Sequence, residues 1–183
     1  MRDGLNRRTR RLSVFGSLRV LALAAVLVAM SIVCGKYLAI RGGDVLRFSF
    51  ENLPILLAGM MFGPLVGAVV GVAADLIGGV LVGYAINPLV TVGAAIIGFA
   101  SGVLYRVTSK LPYGARIGLS VGVAHVLGSV VIKTLGLSAF YDMPVIVLML
   151  WRLLNYVIVG GLEYALIYPI LKNKAIQSIL TRR

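Results

Sequence analysis

The sequence predicts an all-α integral membrane protein, a bundle of six transmembrane helices with both termini in the cytoplasm. Three observations carry this. The 183 residues are 60% hydrophobic and 13% charged, with a mean hydropathy of +0.99, about half the charge that a soluble domain uses to cover itself. No stretch alternates apolar and polar residues over the roughly ten positions of a membrane strand, so helices must satisfy the backbone in lipid. Finally, 13 of the 18 basic residues fall in three clusters. These are Arg2, Arg7, Arg8, Arg10, Arg11 and Arg19; Arg106, Lys110 and Arg116; and Lys172, Lys174, Arg182 and Arg183. The positive-inside rule puts all three in the cytoplasm.

The apolar segments follow in order. The first covers about residues 20–38, behind a basic stretch that reads as a cytoplasmic flank and not as a nucleic-acid arm or a cleaved signal. The second, residues 52–62, is short for a span, which takes about 20 residues. It is either the front half of a helix kinked at Phe62, Gly63 and Pro64 or a span of its own. Charge parity favours the second reading. An even number of crossings must separate each pair of basic clusters, and that requires turns both at Gly63-Pro64 and at Asn87-Pro88. The third segment then covers residues 64–83, the fourth 88–105, the fifth 117–135 and the last 144–170. The outer loops fall at residues 39–51, 84–87 and 136–143. Three regions result: a basic cytoplasmic segment (1–19), a six-helix substrate-binding domain (20–171) and a basic cytoplasmic tail (172–183).

Five cations remain outside the basic clusters: Lys36, Arg41, Arg47, Lys133 and Arg152. The positive-inside rule does not ask for them in the outer half. Asp75 lies 11 residues beyond Pro64, about 16 Å along its helix at roughly 1.5 Å per residue. An ionised carboxylate at that depth needs a partner or a cavity. Arg152 is eight residues past Pro144, and Asn155 shares its side of the last helix. Asn87 reads as the cap of the fourth helix, with Pro88 in its first turn. A salt bridge between Asp75 and Arg152, with no ligand, is the plain alternative. For Trp151 and Tyr84 the plain alternative is an interfacial aromatic belt. The exceptions nonetheless gather on one side. Cations, a buried carboxylate and aromatic faces suit an anionic ligand with a flat, hydrogen-bonding ring, whose N–H pair a carboxylate can accept.

Other polar residues read more simply. His125 is expected to be a neutral, hydrogen-bonded packing residue, and Glu163 a structural or partner-contact residue. One His, one Cys and scattered acids give no metal set, and a single Cys34 excludes an internal disulfide. No Walker A, GxSxG or HExxH motif occurs, so the chain is read as neither an enzyme nor a cofactor binder, and it cannot power transport alone. Small-xxx-small pairs recur, at Gly67 and Gly71, Gly98 and Gly102, and Gly118 and Gly122. The pair Ala25 and Ala29 on the first helix could meet another membrane protein.

The stretch RFSFENLPILLAGMMFGPLVGAVVGVAADLIGGVLVGYAINPLVTVGAAIIGF resembles the substrate-binding S components of energy-coupling factor (ECF) vitamin transporters, and most of all their folate family. The resemblance rests on the Arg-x-Ser-Phe entry at Arg47, the early Pro54, Phe-Gly-Pro at the next turn, Asp75, and the Asn87-Pro88 helix start. It implies a six-helix plasma-membrane protein that binds one vitamin near the outer face under a lid formed by the first outer loop. It also implies a membrane coupling subunit, contacting Ala25 and Ala29, and two cytosolic ATPases. Their ATP hydrolysis would drive the S component to topple and release its cargo inside. Lys36, Arg41 or Arg47 would hold the glutamate carboxylates of folate, and Asp75 or Asn87 the pterin edge. Arg152 and Asn155 would complete the wall, and Trp151, Tyr84 or Phe48 would stack on the ring. The alternatives are an S component for another vitamin or precursor, such as pantothenate or a pyrimidine, and a ligand-free membrane scaffold.

Overall fold

The computed structural model describes residues 18–42, 46–83, 85–141, 144–174 and 176, with the side chains of residues 40–42, 46, 47 and 141 not included. Tyr84, the basic stretch through residue 17, and Arg182 and Arg183 of the tail therefore lie outside the described residues, as do the side chains of Arg41 and Arg47.

Among the described residues six helical segments follow one another. Helix α1 runs Leu18–Ile32 and continues through a π-helical turn, Val33–Tyr37. Strands β1 (Ile40–Gly42) and β2 (Leu46–Phe48) pair antiparallel. Then come α2 (Asn52–Phe62), α3 (Pro64–Val82) and α4 (Pro88–Val107). Helix α5 has three stretches: α-helix Tyr113–Ala124, π-helix His125–Ile132 and α-helix Lys133–Tyr141. Helix α6 is Val145–Lys172. Five of the six are long and apolar enough to cross a membrane. The exception, α2, has 11 residues and so spans only about 16 Å, yet nearly all of it is buried against the rest of the chain.

Gly63 reverses the chain. Its φ of 107° lies in the region that favours glycine, and Pro64, which needs no amide partner, opens α3. Gly59 and Gly67, each four residues from Gly63, are so close that a Cβ on Gly67 would fall 2.6 Å from the Gly59 Cα. In one continuous helix those residues would stand about 12 Å apart. The turn expected at Gly63-Pro64 is therefore present, and the kinked-helix alternative is not.

The same close approaches fix the direction of the other helices. A Cβ on Gly71 would meet the Ala94 carbonyl oxygen at 2.3 Å, and one on Gly98 the Gly67 carbonyl oxygen at 2.1 Å. Contacts move up α4 as they move down α3, so the two run antiparallel. Gly93 against Lys133, and Gly128 against Ile97, show the same for α4 and α5. His125 against Gly160, and Tyr164 against Gly118, do so for α5 and α6. Helices this close exclude lipid, and dispersion between their backbones replaces a hydrophobic force that lipid cannot supply. Ser101, fully buried in this contact, donates to the Gly98 and Leu56 carbonyls at 3.0 and 3.4 Å.

The bundle has two distinct ends. At one, Arg106 donates to the Phe62 carbonyl at 3.4 Å, and Arg116 donates to the Tyr105 carbonyl while its guanidinium lies 3.6 Å above the Tyr105 ring centroid. This end holds the Gly63 turn and the link from α4 to α5. At the other lie the β-hairpin, the start of α4 and the end of α5.

Three expectations need correction. The loop drawn at residues 136–143 is largely absent, because α5 continues to Tyr141. Gly136 does not break it; there a Cβ would crowd Leu89 at 2.7 Å, so the glycine serves packing. Helix α5 also starts earlier, at Tyr113, since Pro112 has the extended backbone of a helix-entry residue. The loop drawn at residues 39–51 is not plain coil, because the two three-residue strands make a hairpin inside it.

Candidate functional site

At the hairpin end, five helical elements converge on a small cavity of about 20 Å³. It is bounded by Ser31, Ile32 and Lys36 of α1, Glu51 and Ile55 at the start of α2, Ala74 and Asp75 of α3, Ala94 of α4 and Lys133 of α5. Two ammonium groups and two carboxylates thus face one space inside an apolar bundle.

Local sequence explains how they get there. Both lysines sit at helix distortions: Lys36 lies within the π turn of α1, and Lys133 follows the π stretch of α5 directly. Each inserted residue in a π turn swings the following side chains around the helix axis, which is one reason such turns gather at functional sites. Glycines then clear the lanes. A Cβ on Gly78 would lie 3.1 Å from the Lys36 Cε, one on Gly93 2.6 Å from the Lys133 Cγ, and one on Gly35 2.8 Å from Glu51 Oε2.

Lys133 is only 4% exposed, and its Nζ donates to Glu51 Oε1 at 3.3 Å. The Glu51 backbone carbonyl accepts from Ser31 Oγ at 2.6 Å, fixing the entry to α2. Thr91 Oγ1 donates to Asp75 Oδ2 at 2.6 Å. A carboxylate has two oxygens and room for several donors, so Asp75 keeps acceptor capacity toward the cavity.

Of the sequence-predicted site residues, Lys36 and Asp75 share the cavity. Asn87 caps α4 by accepting from Leu89 N at 3.0 Å, and its amide donates to the Gly136 carbonyl at 2.7 Å. Its side chain therefore ties α4 to the end of α5. Arg152 donates to the Ser129 carbonyl at 3.0 Å, in the π stretch of α5, and Asp75 and Arg152 are not paired with each other. Asn155 lies one turn further along α6 and is engaged in an interaction of its own. Trp151 is 43% exposed and does not line the cavity. Phe48 is half-buried at the end of β2, a strand that packs against α6. The hairpin register sets Arg41 directly opposite Arg47. Ala25 and Ala29 lie on an exposed apolar face of α1, beside Leu21, Val26 and Met30.

Sequence reasoning missed Thr91 and did not commit Lys133 to the site. The signal for Lys133 was present as an outer cation without a cytoplasmic excuse; Thr91 offered only a hydroxyl one turn into α4. His125 and Glu163 occupy a separate place, buried between α5 and α6. His125 Nε2 contacts Glu163 Oε2, its Nδ1 lies 3.3 Å from Ser129 Oγ, and its ring stacks on Tyr156 at 4.7 Å. The packing role expected of His125 is the one seen. Among the described residues no cluster of three or more His, Cys, Asp or Glu side chains could hold a metal.

The arrangement presents charged and hydrogen-bonding groups of both signs to one small space. Residues 19–181 match the family described as ECF transporter, substrate-specific component. The chain is 30% identical over 152 residues to the folate transporter FolT of Clostridium novyi (strain NT), covering 81% of this chain and 86% of that protein. It is also similar to a crystal structure of FolT bound with folic acid, at 27% identity and a TM-score of 0.70, covering 86% of this chain and 96% of that one.

Proposed function

Because this chain belongs to the family of ECF transporter substrate-specific components, we propose that it is the folate-binding subunit of a multi-pass membrane importer, taking its ligand at the hairpin end. One observation supports the placement: five helical elements bring Lys36, Lys133, Glu51 and Asp75 to a single cavity. The relative named as a folate transporter supports the choice of ligand.

Folate joins a flat ring with an amidine-like edge to a glutamate with two carboxylates. Asp75, oriented by Thr91, accepts the N–H pair of the ring edge, a bidentate charge-assisted contact. Lys36 shares the cavity of Asp75 and so stays with the ring edge, while the glutamate end meets Arg41, Arg47 and Arg152, with Asn155 beside them; Phe48, Tyr84 and Trp151 supply aromatic surface. The hairpin register favours this. It sets two basic positions, Arg41 and Arg47, opposite each other. A cavity of about 20 Å³ holds roughly one water, so the ring is admitted only as the side chains around it withdraw.

The topology proposed with this function has six spans, α2 crossing short because protein, not lipid, surrounds it. Both basic termini, residues 1–19 and 172–183, face the cytoplasm along with Arg106, Lys110 and Arg116. The exposed face of α1 around Ala25 and Ala29 meets a membrane coupling subunit, and two cytosolic ATPases supply the energy. The chain itself catalyses nothing in this scheme.

Titration of the purified protein with folic acid by calorimetry tests the site. Saturable binding that weakens in Asp75→Asn and in Arg152→Ala is expected; wild-type affinity in both variants would overturn the placement.

A further inference from the structure

A second concavity, of about 290 Å³, runs along the groove between α5 and α6 and shares no lining residue with the charged cavity. We infer that this groove is a binding site for the acyl chain of an anionic phospholipid whose headgroup rests at Lys172.

The groove is almost wholly apolar. Val121, Val126, Val130, Leu153 and Val157 line it together with Gly118, Gly122, Gly160 and Gly161, and the stacked rings of His125 and Tyr156 complete the wall. A Cβ placed on Gly122 or Gly161 would meet nothing within 4 Å. These two glycines therefore leave depth unused by internal packing, unlike Gly67 or Gly98. The surrounding face of α6 is exposed and apolar at Leu150, Leu154 and Ile158, so in a membrane the groove opens to lipid.

Its length and its ends say which lipid part lies there. Lining residues on α5 run from Gly118 to Val130, about 18 Å at roughly 1.5 Å per residue. One leaflet of hydrocarbon is about 15 Å, half of a 30 Å core. The groove thus matches one acyl layer and not a whole transmembrane helix. It ends at Tyr164, from which a ladder of rings leads outward. Tyr164 and Tyr168 have centroids 6.0 Å apart, and Tyr113 meets Tyr168 edge-on at 5.4 Å. Lys172 Nζ lies 5.8 Å from the Tyr168 centroid. Tyrosines mark the depth of lipid headgroups, and a juxtamembrane lysine attracts an anionic one. Chain, aromatic girdle and cation are thus stacked in the order of an anionic phospholipid.

Native mass spectrometry of the detergent-purified protein, titrated with dioleoyl phosphatidylglycerol and with dioleoyl phosphatidylcholine, tests this. The wild type should retain one phosphatidylglycerol with at least tenfold preference over phosphatidylcholine. Gly122→Leu and Gly161→Leu should each lower that retention about tenfold, and Lys172→Ala should abolish the headgroup preference. Unchanged folic acid binding by these variants shows that they are folded and keeps the test separate from the folate assignment. Undiminished phosphatidylglycerol retention in both leucine variants would overturn the inference. So would leucine variants that keep the lipid but no longer assemble with a coupling subunit, since a partner helix would then be the occupant.

Discussion

Lys133 Nζ and Glu51 Oε1 stand 3.3 Å apart, joining the last turns of α5 to the first residue ahead of α2. The lysine is almost fully buried, while about a quarter of the glutamate side chain stays exposed. The pair lies on the wall of the proposed site, so its loss should be felt in stability as well as in ligand affinity. Lys133→Ala is expected to lower the unfolding free energy by about 1–3 kcal/mol, below the full cost of orphaning a buried charge because Glu51 can rehydrate. Thermal unfolding in detergent measures it, and a wild-type midpoint would show that the pair is incidental.

The hydrogen bond from Thr91 to Asp75 yields a graded prediction. Thr91→Val keeps the shape and removes the donor, and should weaken folic acid binding about tenfold, the roughly 1.4 kcal/mol of one hydrogen bond. Asp75→Asn removes the charge and one acceptor, and should weaken it about a hundredfold, near 3 kcal/mol for a charge-assisted contact. Calorimetric titration gives both values. A Thr91→Val variant more damaged than Asp75→Asn would mean that the threonine, not the carboxylate, faces the ligand.

Much of the fold was legible because its punctuation is strong. Helix α2 begins and ends where Asn52 and Phe62 were expected, since Gly63 and Pro64 leave no other reading once charge parity demands a turn. Asn87 and Pro88 marked the start of α4 equally well. What the sequence hid was the course of α5. Its π stretch, His125–Ile132, breaks the 3.6-residue period on which face assignment depends. Past that point Lys133 turns inward and the helix runs on through Gly136, where a loop was expected. The hairpin was hidden for another reason: three-residue strands are too short to show alternation. The surplus of charge on one side was legible, but not the contacts: Lys36 and Asp75, expected at opposite ends of a ligand, line one cavity. The cap at Asn87 was legible from its type and from Pro88, but the donation of its amide to Gly136 was not.

The buried pair of His125 and Glu163 is structural in this account. Glu163 is fully buried, and its Oε1 has no hydrogen-bond partner. His125→Leu alone leaves that carboxyl group without its remaining partner, and should destabilise the protein by about 3 kcal/mol. Adding Glu163→Leu should recover most of the loss, because an apolar pair of similar volume removes the desolvation cost. A thermal-melt cycle over the four proteins decides it; a double variant less stable than His125→Leu would contradict the reading.

Glycines in the α3–α4 contact should be intolerant where those of the α5–α6 groove are not. A Cβ on Gly98 would fall 2.1 Å from the Gly67 carbonyl oxygen, so Gly98→Ala must push two helices apart, at about 1–3 kcal/mol for overpacking. Gly122→Ala meets open space and should be neutral or slightly stabilising. Melting temperatures of the two variants compare them directly, and equal values would mean that the helices yield more freely than their packing implies.

The central claim is that a site built from Lys36, Asp75 and Lys133 holds folate. It is tested most directly by mass spectrometry of the small molecule released when the purified, undenatured protein is unfolded. The account predicts a folate, in stoichiometric amount from the wild type and strongly depleted from Asp75→Asn. A different vitamin or precursor, or none from protein that also fails to bind added folic acid, would contradict it.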